Sequence, residues 1–201
     1  MPEVEELTEG DPETTVLENA RRKAFAGMDM ARGKGDLVLG VDTEVVLDGR
    51  LLGKAGNEGE ARQRLEALSG RTHEVLGGVV LIGPLDTPKG DFLRPRLTKS
   101  TLDQGARSSL PGGVTQRSGI ARSRVTFREL EAGLVDMYVA SGDWRDRAGA
   151  YAVQGLGSAL VERADGDLSN VIGLPVNLLL ELAPELLDDA GGSRSDGWPL
   201  I

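Results

Sequence analysis

The sequence predicts an α/β protein, a mixed twisted sheet with flanking helices, and three observations carry that expectation. Short apolar runs such as "LVLGV" at 37–41 and "HEVLGGVVLIG" at 73–83 alternate along the chain with apolar stripes of helical period. The 201 residues suffice for one substantial domain. There is no cysteine, which excludes a disulfide scaffold, thiol catalysis and Cys-ligated zinc.

Each element has its own local reason. A first helix is expected from Thr15 to about Ala31, because Thr15 and Glu18 have capping-box spacing and Val16, Leu17, Ala20 and Ala24 form one stripe. Lys23 lies at the edge of that stripe. Residues 37–41 and 44–52 read as strands, the second turned back by Asp48–Gly49. Asn57 caps a helix over "NEGEARQRLEALSG", with Ala61, Leu65 and Leu68 on one face and Gly70 as its stop. Residues 73–83 form a long central strand. From Pro84 to Arg124 the chain carries eight basic and three acidic side chains with 4 Pro, 5 Gly and 5 Ser, a composition poor in core-forming residues. That predicts a flexible basic insertion over 84–123. Order resumes with a strand "RVTFREL" and a helix "LEAGLVDMYVASG", in which Leu130, Leu134, Met137 and Tyr138 share a face and Gly142 ends the helix. The loop "DWRDRAGAYAVQGLG", the strand "SALVERA" and the turn "DGD" follow, and Pro175 opens a final helix at the first-turn position. One domain over 1–187 with a disordered tail over 188–201 is the expected organisation.

Charge and composition exclude several functions. The net charge of −9 argues against a nucleic-acid binder. The start, "MPEVEELTEGDPETT", lacks the layout of a signal peptide, and no apolar run approaches the ~20 residues of a membrane span, so a cytoplasmic protein with no membrane partner is expected. With a single histidine, His73, a metal would sit on oxygen ligands, which favours Mg²⁺ or Mn²⁺.

Two motifs mislead. "GRLLGK" has three residues between its glycines and Ala55 where a phosphate loop needs Ser or Thr. "GLGSAL" imitates a nucleophile elbow without a supporting context. What remains are acids and bases at element ends: Glu5 and Glu6 before the first helix, Asp42 at the end of an apolar strand, Lys23, Lys54, and Gln154 in a glycine-rich loop. Each alone reads more readily as a solvated surface charge than as a catalyst. Asp42 is the exception, since a carboxylate directly after "LVLGV" is partly desolvated and needs a partner. Carboxylates with lysines and no other nucleophile fit metal-assisted phosphoryl chemistry.

These residues lie in blocks that resemble the Maf family of nucleoside triphosphate pyrophosphatases. Its GADT block stands here as Gly40-Val41-Asp42-Thr43, its DG hairpin as Asp48-Gly49, and its LGKP as Leu52-Gly53-Lys54-Ala55. The LSGRxHxV block runs from Leu68 to Val75, the TxVxFR strand matches "RSRVTFREL", "YVASGDWRDRAGAYAVQG" matches YVATGE…DKAGAYGIQG, and "GDLSNVIGLPV" matches GDYxNVVGLP. The resemblance implies an ITPase-like fold with a cleft between two lobes, and hydrolysis of a nucleoside triphosphate between its α- and β-phosphates. It implies Asp42 as the catalytic acidic residue, general base or metal anchor. Glu5 with Asp42 would hold a divalent metal cation, Lys23 and Lys54 the phosphates, and Thr43 and Gln154 would set base choice. The "AGAYAVQG" form is similar to the dTTP/UTP subgroup, and an amide offers a uracil or thymine edge both donor and acceptor. His73 is then a structural histidine, and a homodimer is expected by resemblance only. The resemblance also ties the family to septum formation, which makes a nucleotide- or partner-binding protein the alternative.

The pattern departs from the family in three places. Arg147 stands for a family lysine and Ala55 for proline. The N-terminal strand and SxSPRR block of the family are absent, and "SGIARSR" at 118–124 is a poor imitation. Two expectations follow: a start codon assigned too late, or a truncated and weakly active homologue.

Overall fold

In the computed structural model the chain is described over residues 4–30, 36–83, 102–110 and 114–187. In chain order the elements are α1 (Pro12–Met28), β1 (Val38–Leu47), β2 (Arg50–Leu51), α2 (Glu58–Leu68), β3 (Thr72–Gly83), β4 (Leu102–Leu110), β5 (Val114–Phe127), α3 (Ala132–Ser141), a short 3-10 helix (Gly155–Ala159), β6 (Val161–Asp165), α4 (Leu168–Ile172) and α5 (Val176–Leu182). Among the described residues six strands form one sheet in the order β2-β1-β3-β5-β4, with β6 on β5.

The expected α/β class holds, with helices flanking the sheet, but the pairings among the described residues are antiparallel where the alternation predicts a mixed sheet. Topology explains the difference. β2 and β3, joined through α2, run parallel to each other as a crossover requires, but β1 lies between them and is antiparallel to both.

The strands predicted at 37–41 and 44–52 are one continuous strand, β1, and then a two-residue β2. Asp42 and Thr43 therefore pair with Gly78 and Gly77 of β3 in mid-strand instead of ending a strand. The hairpin after Leu47 does form at Asp48–Gly49, with φ of 52° and 75°, as a two-residue turn of primed type demands. Helix α1 starts earlier than predicted, because the Asp11 side chain, not Thr15, accepts from the Thr14 amide and Pro12 opens the first turn. Asn57 caps α2 as expected, accepting from Glu60 N. In α3 the buried face is Val135, Tyr138 and Val139, and Met137 is exposed. Pro175 sits one position before the final helix, as its cap residue.

The flexible insertion expected over 84–123 is corrected in part. Residues 102–110 are β4, and β5 begins at Val114, pairing with β3 from Gly83 to Thr72. Residues 84–101 and 111–113 of that insertion, and the tail at 188–201, lie outside the described residues. A polar, basic strand is stable here because its backbone groups are satisfied by two ladders and Arg117 and Arg122 are paired. Buried Arg117 donates to Leu182 O at 2.6 Å and Glu185 Oε1 at 2.8 Å, while Arg122 pairs with Glu13 and Glu74.

The sheet is covered on both faces. The main core joins Leu65 and Leu68 of α2 and Tyr138 of α3 with Val75, Phe127 and Leu160. On the other face α1 lays Val16, Ala20 and Ala24 on Leu76, Val80 and Ile82, while α5 lays Leu178 and Leu182 on Val79 and Leu81, which alternate with them along β3 and so share the face of Val75. The contact of α1 is unusually close. A Cβ on Gly40 would sit 2.1 Å from Ala20 O, and one on Gly78 would sit 2.6 Å from Val16 O. Two glycines on adjacent strands thus let the helix backbone touch the sheet. No helix of the described residues is long and apolar enough to cross a membrane.

Candidate active site

That close contact sets the site. Lys23 follows the stripe of α1 by one residue beyond Arg22 and precedes Ala24, which packs on Gly40; two positions along β1 stands Asp42. Lys23 Nζ consequently meets Asp42 Oδ1 at 2.6 Å and Glu6 Oε1 at 2.7 Å. The other oxygen of Glu6 accepts from Lys54 Nζ at 2.8 Å. Lys54 is delivered by the chain leaving β2, where it bridges Ala148 and where Gly149 N donates to Leu52 O at 2.5 Å. Asp42 and the two lysines thus belong to one chain of charges, with Glu6 as its middle link.

Glu6, not Glu5, reaches this cluster. Residues 4–8 precede α1 without helical structure, and Glu5 is exposed while Glu6 is half-buried, so neighbouring side chains take opposite sides. Glu5 instead offers its carbonyl to Arg22 Nη1 at 2.9 Å. The sequence contained both acids, and nothing local to "EVEE" distinguishes them until the path of the segment over α1 is known.

The charges reinforce each other. Burial alone would raise the Glu6 carboxyl pKa, but hydrogen bonds from Lys23 and Lys54 outweigh it and hold it low. Burial alone would lower the Lys23 ammonium pKa, but Asp42 and Glu6 outweigh it and raise it. Asp42 is 6% exposed; its Oδ1 is taken by Lys23, and its Oδ2 is buried without a hydrogen-bond partner. A further acid missed by sequence reasoning, Glu44, lies two residues along β1. Burial first, and then the charges of Asp42 and Glu6, push its pKa up to about 7.

A cavity of about 260 Å³ opens beside the cluster. Lys23, Asp42, Thr43 and Lys54 line one side, Arg147, Tyr151 and Gln154 another, and Val171 to Gly173 of α4 and its end a third. Asp42 and Thr43 point to opposite faces of a strand yet share this cavity, because no described strand pairs with β1 on this side over Val38–Glu44. Among the described residues that stretch of β1 is unpaired on this side, which leaves both faces accessible. All the candidate residues except Glu5 therefore border or adjoin one cleft.

The apolar side of the cleft is held by neutral hydrogen bonds. Tyr151 OH lies 2.7 Å from His73 Nε2, and both rings stack edge-on with Phe127. Burial lowers the His73 pKa to about 4, so the ring is neutral, a structural residue and not part of the charged set. Asn170 Nδ2 donates to Val75 O and Ser123 Oγ, both at 3.0 Å, which fastens α4 to the sheet.

Among the described residues no three Asp, Glu, His or Cys side chains gather into a cation cage. Mg²⁺ characteristically takes one or two carboxylates and completes its shell with water and phosphate oxygens. Asp42, with its orphaned Oδ2, and Glu6 are a donor set of that kind.

The family described as Maf-like protein matches residues 1–186. A dTTP/UTP pyrophosphatase of Pyrococcus furiosus is 35% identical over 179 residues, which is 89% of this chain and 77% of the relative. A dTTP/UTP pyrophosphatase of Deinococcus radiodurans is 35% identical over 180 residues, 90% of this chain and 76% of the relative. A third, of Moorella thermoacetica, is 40% identical over 170 residues, 85% and 71%.

Proposed function

The chain belongs to the Maf family, and on that premise we propose that it is a nucleoside triphosphate pyrophosphatase that hydrolyses dTTP, UTP and related pyrimidine nucleotides to the monophosphate and pyrophosphate. The observation that carries this reading is the Asp42–Lys23–Glu6–Lys54 chain at the mouth of a cleft whose far side bears Gln154.

The triphosphate lies along the lysines, whose ammonium groups neutralise its charge. Glu6 holds both ammonium groups in place, so little reorganisation is needed when the substrate arrives. Asp42 Oδ1 is committed to Lys23, which leaves Oδ2 to orient the attacking water and accept its proton. Water oxygen bonds to the α-phosphorus, the bond from that phosphorus to the α–β bridging oxygen breaks, and pyrophosphate leaves with the electron pair. Mg²⁺ or Mn²⁺, when bound, would be held by Glu6 and Asp42 Oδ1 as the triphosphate draws the two lysines towards itself, and would supply further charge neutralisation. This replaces Glu5 by Glu6 in the expected metal pair. Thr43 and Gln154 read the base, with the amide pairing the carbonyl and N–H of a uracil or thymine edge. The reading extends to a cytoplasmic enzyme of the nucleotide pool that forms a homodimer.

Pyrophosphate release from a panel of dTTP, UTP, CTP, GTP and 7-methyl-GTP with Mg²⁺ tests the proposal. Turnover of dTTP and UTP above the others is expected. Release of orthophosphate, or no release from any pyrimidine triphosphate, would contradict it.

A further inference from the structure

The segment from Ala148 to Gln154 forms the base-facing side of the cleft, and its anchors are unevenly understood. Its start is tied to the phosphate side through the Lys54–Ala148 bridge and the Gly149–Leu52 hydrogen bond. Gly149 and Ala150 hold left-handed φ of 66° and 60°, a conformation that the surrounding contacts must impose on an alanine. Its end, next to Gln154, is tied by a residue outside the cleft. Tyr138 of α3 is wholly buried, and its hydroxyl oxygen accepts from Ala152 N at 2.9 Å.

The same hydroxyl also neighbours the turn that follows Gln154. A Cβ on Gly157 would fall 3.3 Å from the Tyr138 hydroxyl and only 1.8 Å from Ala152 O. Ala152 is therefore gripped between a fixed phenol and the backbone of the 3-10 helix, and Gln154 is the cap residue that opens that helix. Burial raises the Tyr138 pKa, so the hydroxyl stays protonated at neutral pH.

We infer that the Tyr138 hydroxyl is a positioning group for base choice, holding Ala152 so that Gln154 and the cleft wall keep the width that suits a pyrimidine. The inference rests on the reading that Gln154 meets the base. A purine is larger and needs the 152–154 segment to retreat. A segment pinned through Ala152 resists that movement, and one released from the pin yields to it. Tyr138 touches no substrate in this scheme and acts only through Ala152.

The test is Tyr138→Phe, which keeps the buried ring and removes the acceptor. The ratio of kcat/KM for dTTP to that for GTP is expected to fall about 5-fold, the size of one neutral hydrogen bond. An equal loss for both nucleotides would mean that Tyr138 only supports the fold, and would overturn the inference. Gln154→Ala separates the two levels. If its ratio falls while that of Tyr138→Phe does not, the inference fails and the base-reading role of Gln154 stands. If Gln154→Ala leaves the ratio unchanged, or the parent shows no preference for dTTP, that role fails and the inference with it. Amide hydrogen exchange of the parent protein checks the anchor independently of any variant. Slow exchange at Ala152 is expected, and exchange at the rate of an open loop amide would overturn the inference.

Discussion

The two sides of the cleft are built by opposite means. On the β1 side, partly exposed lysines, half-buried Glu6 and buried Asp42 hold one another by charge, and Lys54 remains 51% exposed. On the side of residues 148–154 and α4, the fixing groups are neutral and buried: Tyr138 and the His73–Tyr151 pair hold the segment, and Asn170 holds α4. Charges that must meet a solvated triphosphate need access to water and can trade one partner for another. A wall that discriminates by shape must not move, and buried neutral hydrogen bonds supply that without a desolvated charge.

If this division is right, the two sides fail differently. The largest effect is expected from Gly40→Ala, whose methyl would meet Ala20 O and Ala24 N in backbone that cannot yield. A loss of about 3 kcal/mol in urea unfolding is expected, with turnover lost as Lys23 is displaced from Asp42. A variant of parental stability would refute the close-contact account of the charged side.

The neutral side is exposed by acid. His73 has a pKa of about 4 in the folded chain against an ordinary 6.5, so the unfolded chain binds the extra proton between those values. Stability is then full above about pH 6.5 and falls as pH drops, by about 2 kcal/mol between pH 7 and pH 5. Unfolding midpoints across that range measure it, and the non-titrating His73→Gln variant should show a correspondingly flatter slope. An unchanged slope in that variant would place the acid sensitivity elsewhere.

A smaller contrast separates two neighbours on the charged side. Glu6→Gln removes the charge shared by Lys23 and Lys54 and is expected to lower kcat/KM roughly 10-fold. Exposed Glu5→Gln is expected to stay within about 2-fold of the parent. The reverse order would return the role to Glu5.

The charged side was the more legible in sequence, and the reason is physical. Asp42, Lys23 and Lys54 are conspicuous because ionised groups beside apolar runs demand partners. The choice between Glu5 and Glu6 was not legible, since it depends on the side taken by a segment crossing α1. "LVLGV" stops being apolar at Asp42, which reads as a strand end, yet β1 continues through it, stabilised by pairing with Gly78. The composition of 102–110 and 114–123 suggested a loop because its polar residues cannot build a core alone; the ladder to β3 and the pairing of Arg117 and Arg122 do so from outside. In the sequence Tyr138 is one more residue on the apolar face of a helix. Its hydroxyl acquires a task only when α3 is set against Ala152, a contact that no local pattern encodes.

The central claim is that Asp42, held by Lys23 on the β1 side of the cleft, directs water at the α-phosphorus. Pyrophosphate release from dTTP by Asp42→Asn, measured beside the parent with circular dichroism as the check on folding, tests it most directly. The account predicts a folded variant slowed by about 100-fold or more, in keeping with the loss of a positioned base. A folded variant that turns over dTTP at the parental rate would contradict it.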